Sequence, residues 1–475
     1  MKKILALLLV LLMFSACKKL EDLNENTKDP TEIPGEALFT GAQLNLFDQM
    51  VSSNVNRNIF RMFAQYWTET TYTNESNYDL TSRTIPDNHW DVLYRDVLKD
   101  FKESAKIIGE TNYGADPSPK IKSNKLAIIE IMSVYTWSVL VETFGNIPYT
   151  EALDIDNLSP KYDDGLTIYK DLISRLDAAL VTLDPAWGSF DAADNIYAGD
   201  VGLWIKFGNS LKLKMGLILA DKDPTYAQSV VSAAVPNVFS SNLDNARLIY
   251  SSSQPNTNPL YEDLVASGRH DFVPANTIVD VMNTLADPRR PLFFTLAPDT
   301  NTYIGGIYGD ANDFTLFSFF TDQFLEPTLE GLIMDYAEVE FLLAEAAERG
   351  WASDPETHYN NAITASITYW GGTSGDVSSY LANPAVAYAT AGTTWKEKIG
   401  NQMWIAMYNR GFEAWTYWRK YDYPALTPPV GALSVIPVRY TYPIEEQTLN
   451  GANYSSASSA IGGDNVATKL FWDLY

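Results

Sequence analysis

The sequence of 475 residues carries 59 acidic and 34 basic side chains, and its formal net charge is −25. This acidity disfavours binding to nucleic acid and to anionic lipid surfaces, because both need patches of basic side chains. Hydrophobic residues make up 46% and charged residues 20% of the chain, and these proportions exclude a chain that is disordered throughout.

The first residues have the pattern of an export signal. Lys2 and Lys3 give a basic start, and residues 4–14 form an unbroken apolar run. As a helix, this run would span about 16 Å, which is too short for a hydrocarbon core of about 30 Å. We therefore predict that residues 1–16 are a signal peptide and not a membrane-spanning helix.

The residues Phe-Ser-Ala-Cys at positions 14–17 resemble the lipobox of bacterial lipoproteins. In such signals the peptide is cut before the cysteine, which then carries the lipid. Cys17 is the only cysteine of the chain, so it has no partner for an intramolecular disulfide. We predict lipidation of Cys17 and attachment to the membrane by this anchor alone. The alternative is that Cys17 merely lies near an ordinary cleavage site.

Residues 17–35 are polar and show no hydrophobic period, and we predict that they form a flexible, acidic tether. Their acidic residues Glu21, Asp22 and Glu25 resemble the surface-export signal of Bacteroidetes lipoproteins. No later stretch is long and polar enough to be a linker, so residues 36–475 are predicted to form a single domain.

Through most of this domain, apolar residues recur at the three- and four-residue spacing of helices. The predicted helices are residues 37–52, 55–69, 89–108, 123–144, 166–183, 202–220, 225–235, 276–285, 335–349, 356–369, 394–408 and 411–420. Residues 292–327 are predicted to be strand-like or loop-like, and residues 371–391 and 425–475 to be irregular. The helices are expected to pair across short turns, as in helical-repeat proteins, although no clean 34-residue period is present.

The predicted helix at residues 123–144 is apolar on nearly every side and is long enough to suggest a membrane span. Lys125, Glu130 and Glu142 lie within it. Charged side chains are expensive in a hydrocarbon core, so we predict that this helix is buried in protein.

The sequence offers no metal or nucleotide chemistry. His89, His270 and His358 lie far apart and lack the spacing of metal ligands, so we predict neither a bound metal nor a cofactor. No glycine-rich phosphate loop and no Gly-x-Ser-x-Gly motif occurs.

Paired carboxylates leave other functions open. Glu338 and Glu345 lie two turns apart on one predicted helix, where an acid pair for glycoside hydrolysis could stand. We predict instead that they occupy a solvated helix face, on which Glu345 pairs with Arg349. An exported glycoside hydrolase or peptidase is therefore one alternative. A helical-repeat adaptor that binds protein through aromatic patches is a second.

Five stretches, in order along the chain, resemble the SusD/RagB family of Bacteroidetes outer-membrane lipoproteins. They are residues 144–152 (FGNIPYTEA), 336–346 (YAEVEFLLAEA), 402–419 (QMWIAMYNRGFEAWTYWR), 436–443 (IPVRYTYP) with Glu446 and Asn450 beyond, and 468–473 (TKLFWD). Together with the lipobox, the resemblance extends over nearly the whole chain.

The resemblance implies a mainly α fold of tetratricopeptide-like pairs, about eight helices in all, with long irregular loops and a few short strands. It also implies a non-enzymatic protein at the cell surface that captures a nutrient, usually an oligosaccharide and sometimes a peptide. The implied partner is a SusC-like TonB-dependent barrel in the outer membrane, over which the protein sits as a lid.

Aromatic residues make up 13% of the chain, and those in loops are candidates for ligand binding. Sugar rings lie with their C–H faces on aromatic rings, while Arg, Asp and Asn side chains bind the hydroxyls. Two predicted loops, residues 71–90 and 303–320, carry such side chains. The residues that we predict to contact ligand are Tyr72, Tyr78, Arg83, Tyr303 and Tyr308. For each of them, packing within its loop is the alternative.

Overall fold

The computed structural model describes residues 33–112 and 118–475. The predicted signal peptide, Cys17 and residues 17–32 of the predicted tether lie outside the described residues.

The chain is mostly helical. In order, the helices are α1 (Gly35–Val51), α2 (Phe60–Phe63), α3 (Ile85–Asp91), α4 (Lys99–Glu110), α5 (Ser118–Phe144), α6 (Gly165–Thr182), α7 (Val201–Ile218), α8 (Pro224–Ala234), α9 (Pro259–Tyr261), α10 (Asn276–Leu285), α11 (Arg290–Phe293), α12 (Tyr336–Glu348), α13 (Pro355–Tyr369), α14 (Ser374–Leu381), α15 (Trp395–Ala406), α16 (Gly411–Tyr421), α17 (Ile444–Leu449) and α18 (Gly451–Ala460). The strands are β1 (Trp67–Glu69), β2 (Ile147–Pro148), β3 (Tyr162–Asp163), β4 (Ala246–Leu248), β5 (Phe272–Pro274) and β6 (Gly331–Met334). π-Helical turns at Val92–Leu98 and Glu262–Ala266 continue α3 and α9.

Most helices pack in pairs. Contacts join α5 with α6, α7 with α8, α12 with α13 and α15 with α16, and α1 packs on α4. Successive pairs also touch, because α6 contacts α7, α7 contacts α12 and α12 contacts α15. This arrangement confirms the predicted mainly α fold of tetratricopeptide-like pairs with irregular loops and short strands.

Aspartate side chains fix where several of these helices begin. Asp164, Asp200, Asp223 and Asp335 each accept a hydrogen bond from a backbone N–H of the first turn of α6, α7, α8 and α12. Such caps satisfy donors that have no partner within the helix. They explain why the predicted bounds of these helices lie within two residues of the observed ones.

Helix α5 is the centre of the helical part and packs on α4, α6 and α7. Its residues Pro119–Phe144 are long and apolar enough to cross a membrane, but 89% of the most apolar window is buried inside the protein. Two of its acids have partners: Glu130 pairs with Arg175 at 2.5 Å, and Glu142 accepts a hydrogen bond from Tyr169 at 2.7 Å. The prediction of burial in protein is confirmed.

The predicted helix at residues 55–69 is wrong. Only Phe60–Phe63 is helical, Gln65 has a positive φ of 53°, and Trp67–Glu69 is a strand. Every residue from 58 to 69 is buried. The apolar spacing in this segment therefore reflects burial on all sides and not one face of a helix.

Residues 292–327, predicted to be strand-like or loop-like, are mostly irregular, so the loop-like part of the prediction holds and the strand-like part does not. They hold short 3₁₀ turns and an isolated bridge between Phe294 and Phe320. Side chains replace a regular ladder here, since the N–H of Ile304 donates to Ser318 and the N–H of Ile307 donates to Asn312.

The two regions predicted to be irregular also contain helices. Helix α14 lies within residues 371–391 and begins at a capping box made by Thr373 and Asp376. Helices α17 and α18 lie within residues 425–475. All three are short, so their apolar periodicity was too weak to indicate a helix.

The prediction that Glu338 and Glu345 occupy a solvated face is also wrong. Both side chains are fully buried. Glu338 accepts hydrogen bonds from Arg410 and Tyr417, both at 2.5 Å. Glu345 pairs with Lys420 at 2.7 Å and, as predicted, with Arg349 at 2.8 Å. The two carboxylates join α12 to α16, which explains how a helix with charges on several faces can be buried.

Candidate ligand-binding trough

Three adjoining clefts form a continuous depression in the surface, which we call the trough. Their volumes are about 380, 460 and 530 Å³. Asn54 and Asp263 line both the first and the second cleft, and Arg269 and Asp271 line both the second and the third. The shared residues show that the clefts are parts of one elongated site.

Exposed aromatic rings are concentrated in the trough. Among the described residues, the Phe, Tyr and Trp side chains that are exposed are Tyr72 (61%), Phe314 (39%) and Tyr475 (64%). Tyr72 lines the second cleft and Phe314 the third. His270 stacks on Phe314 with a centroid distance of 4.2 Å and an interplanar angle of 20°. The trough therefore presents two platforms, one of a single ring and one of two.

Strand pairing holds the Tyr72 platform beside the Phe314 platform. Strand β1 pairs with β5, which places Glu69 opposite Phe272. Just beyond the paired residues, the N–H of Thr70 donates to the carbonyl of Asp271 at 2.9 Å, and the N–H of Asn312 donates to the carbonyl of Thr70 at 3.0 Å. The segments that carry Tyr72, His270 and Phe314 are thus joined through backbone hydrogen bonds.

A buried pair of acids, Glu69 and Glu75, binds residues of the loop that carries Tyr72 and Arg83. The N–H and the hydroxyl of Ser76 both donate to Glu69, and Arg83 donates to Glu75 at 2.5 Å. Burial and a hydrogen bond with Glu75 raise the pKa of Glu69 to about 8. At neutral pH Glu69 is therefore mostly protonated and can donate to Glu75, whose Oε2 has no other partner in the described part of the chain.

Two of the guanidinium groups in the trough are neutralised by neighbouring acids. Arg83 is bound to Glu75, and Arg269 binds Asp271 through two hydrogen bonds of 2.6 and 2.8 Å. The second contact raises the pKa of Arg269. Arg57, in the first cleft, has no ion pair within the described ranges.

The trough contains more unpaired acidic side chains than unpaired basic ones, of which Arg57 is the one example among the described residues. The unpaired acids are Asp48, Glu262, Asp263 and Asp313, none of which forms an ion pair with a described residue. Burial raises the pKa values of Asp48 and Asp263, which instead accept hydrogen bonds from Tyr250 and Ser53. The acidic side chains that line the trough outnumber its basic ones, so its field disfavours an anionic ligand.

The structure brings together only part of the predicted site. Tyr72 and Arg83 line the second cleft. Tyr78 and Tyr308 are buried, and the Tyr308 hydroxyl donates to the carbonyl of Met62 at 2.6 Å. The rings of Tyr78 and Tyr308 lie inside the protein and present no exposed face in this structure.

Tyr303 is half-buried and does not line the trough. The guanidinium of Arg290 lies 4.6 Å from its ring centroid. Phe314, His270, Arg269 and Arg57 line the trough but were missing from the prediction. Phe314 falls inside the aromatic stretch 303–320, and this is the one signal that could have indicated it.

The three histidines have separate environments. His89 is buried, which lowers its pKa to about 3, while His358 lies 2.7 Å from Glu340 and His270 stacks on Phe314. Within residues 33–112 and 118–475, no group of three or more His, Cys, Asp or Glu side chains could hold a metal ion.

Comparison with protein families identifies the chain. The model of the SusD-like_2 family, described as "Starch-binding associating with outer membrane", matches residues 27–443. The chain therefore belongs to this SusD-like family. A search of curated protein sequences found no match.

Solved structures with the same fold span nearly the whole chain. A chitin-binding protein is 25% identical and superimposes with a TM-score of 0.81, covering 93% of this chain and 100% of its own. A SusD homologue from Bacteroides uniformis is 27% identical, with a TM-score of 0.76 and coverages of 92% and 99%. A chitin-binding SusD homologue from Flavobacterium johnsoniae, 22% identical with a TM-score of 0.77 and coverages of 92% and 98%, shares the fold.

Proposed function

We propose that this chain is a cell-surface lipoprotein that binds an oligosaccharide in the trough and delivers it to a SusC-like TonB-dependent transporter. The position of Tyr72 and Phe314 carries the binding function. Two of the three exposed aromatic rings among the described residues line one depression whose other lining residues are mostly polar. Aromatic faces beside hydrogen-bonding groups are what a sugar ring requires, since its C–H face is apolar and its rim is polar.

The dimensions of the trough support a chain-like ligand. Each cleft has a volume between about 300 and 1,000 Å³, the usual range of ligand sites. Because the clefts adjoin, successive units of an oligomer could occupy them in turn. A ligand-sized trough favours binding of an oligosaccharide over the alternative of a flat helical-repeat adaptor.

The relatives suggest which glycans to test first. Two solved relatives are named for chitin binding, and the family description names starch. Both polymers are uncharged, which suits a trough whose described residues include one unpaired guanidinium, that of Arg57. We take chito- and malto-oligosaccharides as the first candidates and peptides as the second.

We propose that the ligand is bound without turnover. Glu338 and Glu345, the acid pair considered for hydrolysis, are fully buried and do not line the trough. A glycoside hydrolase would release new reducing ends from a bound oligosaccharide, and a peptidase would release new amino groups. Neither product is expected on prolonged incubation with the full-length protein.

The binding surface can be tested with one matched control. In calorimetric titrations with chitohexaose and maltohexaose, Tyr72→Ala and Phe314→Ala should each weaken binding roughly tenfold or more, as expected for central aromatic anchors. Tyr475→Ala removes the third exposed ring, which lies outside the trough with Lys396 4.0 Å from its centroid, and should leave the affinity unchanged. Equal effects of all three substitutions, or wild-type affinity in Tyr72→Ala and Phe314→Ala, would refute the trough as the binding site.

Anchoring and partnership need separate experiments. Mass spectrometry of the protein from its native membrane should find a lipid-modified N-terminal Cys17, and Cys17→Ser should release the protein from the membrane. Affinity purification of the lipidated protein should recover a TonB-dependent barrel. An unmodified mature N-terminus, or purification without any barrel, would contradict these two parts of the proposal.

A further inference from the structure

A separate cavity of about 360 Å³ lies between helices α10 and α15 and the segment that follows α14. Val281 and Leu285 of α10 and Ile405 of α15 form apolar walls, and Pro424 closes one side. The cavity shares no lining residue with the trough.

The larger polar side chains in the walls are already engaged within the protein. Tyr359 donates to the carbonyl of Val386 at 2.8 Å, and the indole N–H of Trp404 donates to the carbonyl of Ala64 at 2.9 Å. Tyr359 and Trp404 are 0% and 2% exposed. The cavity therefore has rigid walls but no exposed ring face on which a sugar could stack.

Three other polar side chains in the lining have no hydrogen bond or ion pair with any described residue. They are the carboxylate of Asp280 on α10 and the ammonium of Lys398 and the amide of Asn401 on α15. Partial burial raises the pKa of Asp280, and no cation opposes this shift. The Lys398 ammonium lies 4.7 Å from the ring centroid of Tyr388. The apolar cavity thus carries an exposed acid, Asp280, and a half-buried base, Lys398, and neither has a hydrogen-bond or ion-pair partner in the described part of the chain.

We propose that this cavity is a second binding site, for a free amino acid with an aliphatic side chain. The ammonium of such a ligand would pair with Asp280 and its carboxylate with Lys398, with Asn401 available to either group. The aliphatic side chain would lie against Val281 and Leu285. Charge-assisted hydrogen bonds made beside apolar walls are strong, and opposite charges on opposite helices fix the orientation of a zwitterion.

Titration with leucine and its blocked forms tests the pairing of charges. Leucine should bind, whereas leucinamide, which lacks the carboxylate, and N-acetylleucine, which lacks the ammonium, should each bind at least tenfold more weakly. Glycine has both charges but no side chain, and it should also bind at least tenfold more weakly. Absence of leucine binding at millimolar concentration, or equal affinity for leucine and both blocked forms, would overturn the proposal.

Substitutions test whether Asp280 and Lys398 bind the two charged groups of leucine. Asp280→Asn and Lys398→Met should each reduce leucine affinity at least tenfold, and the exchanged pair D280K/K398D should recover part of that loss because it restores both partners. The exposed residues Glu110 and Lys222 supply controls, since E110Q and K222M change the same charges elsewhere and should have no effect. Folding of every variant is checked by its thermal transition. Unchanged leucine affinity in folded Asp280→Asn and Lys398→Met would refute the site.

The proposal stands apart from the glycan-binding function. The same variants should keep wild-type affinity for any oligosaccharide that binds the trough, while Tyr72→Ala should keep wild-type affinity for leucine. Each of the two sites can therefore fail its test without affecting the result for the other.

Discussion

Glu338 of α12 and Arg410, the residue before α16, form a buried ion pair with an N–O distance of 2.5 Å. Arg410 also donates to the carbonyl of Ile333 at 3.0 Å and lies 3.6 Å from Glu413. Burial alone would raise the pKa of Glu338, but the charges of Arg410 and Lys214 outweigh this effect and hold it below its usual value. Arg410 thus links the pair α12–α13 to the pair α15–α16.

Removing this arginine should destabilise the fold strongly. Asp335 also lies 3.3 Å from Arg410. In Arg410→Met, all three acids lose their shared cation inside the protein, and we expect the free energy of unfolding to fall by about 3–5 kcal/mol. Urea unfolding followed by far-UV circular dichroism measures the change. The double variant Arg410→Met/Glu338→Gln should regain part of the loss, because it removes one of the three carboxylates that are left without this cation. A loss below about 1 kcal/mol in the single variant would contradict the role given to this pair.

Stability should fall as the pH rises towards 8. The pKa of Glu69 is about 8 in the folded protein and close to the ordinary glutamate value of 4.5 in the unfolded chain. Between these values the unfolded chain binds fewer protons, so the free energy of unfolding decreases with pH by up to about 1.4 kcal/mol per unit. The contribution is complete below about pH 4.5 and is lost as the pH passes 8.

Glu69→Gln provides the control for this effect, since its amide does not titrate. The variant should show a flatter dependence of unfolding free energy on pH between about 5 and 8 than the parent protein, as measured by urea unfolding at several pH values. Because Glu69 supports the loop of Tyr72, glycan affinity should weaken over the same range in the parent and not in the variant. Parallel pH profiles of the two proteins would show that Glu69 does not titrate between about pH 5 and 8.

The trough should discriminate against acidic glycans. Its unpaired acids, Asp48, Glu262, Asp263 and Asp313, outnumber its one unpaired guanidinium, and we expect uronic acid oligomers to bind at least tenfold more weakly than neutral oligomers of equal length. Raising the salt concentration should reduce the difference through screening. The variant E262Q/D313N should gain affinity for the acidic oligomers only. Tighter binding of uronic acid oligomers by the parent protein would contradict this prediction while leaving glycan binding intact.

Tyr308 should contribute to stability and not to ligand affinity. Tyr308→Phe loses the buried hydrogen bond to the carbonyl of Met62, so the free energy of unfolding should fall by about 0.5–1.5 kcal/mol or somewhat more. Glycan affinity should remain that of the parent protein in the calorimetric titration. A large loss of affinity in a stably folded Tyr308→Phe would restore Tyr308 to the binding site.

The sequence was informative wherever one face of a helix meets the core. Helix α10 was predicted with its observed bounds, Asn276–Leu285, because its apolar residues Ile278, Val279 and Met282 follow helical spacing and Asp287 and Pro288 end it. Periodicity failed at residues 55–69, where burial on all sides leaves no apolar face to detect.

The residues that carry the family resemblance also have a structural explanation. Arg439 is fully buried, where it pairs with Asp464 at 2.6 Å and donates to the carbonyl of Phe144 at 3.1 Å. Trp415 of α16 donates to the carbonyl of Pro437 at 2.7 Å. These stretches make the fold rather than the ligand site, so they could indicate the family without indicating what it binds.

The candidate site was predicted in part, but neither from helical periodicity nor from the family motifs. Tyr72 could be selected because it is an aromatic residue in a polar loop. Whether a loop aromatic is exposed or buried depends on segments that are distant in sequence, which is why Tyr72 and Tyr78 could not be told apart. The platform of Phe314 and His270 depends on the approach of two loops separated by more than forty residues, and no local pattern encodes that approach.

Asn77 ties the loop of Tyr72 to two remote parts of the chain. Its side-chain amide donates to the backbone carbonyl of Gly309 at 2.7 Å, and its backbone carbonyl accepts a hydrogen bond from the N–H of Leu433 at 2.9 Å. The ribosome must therefore finish almost the entire polypeptide before these supports exist. A nascent or C-terminally truncated product would lack a finished receptor surface, so capture of cargo during biosynthesis and export would be disfavoured until maturation is complete.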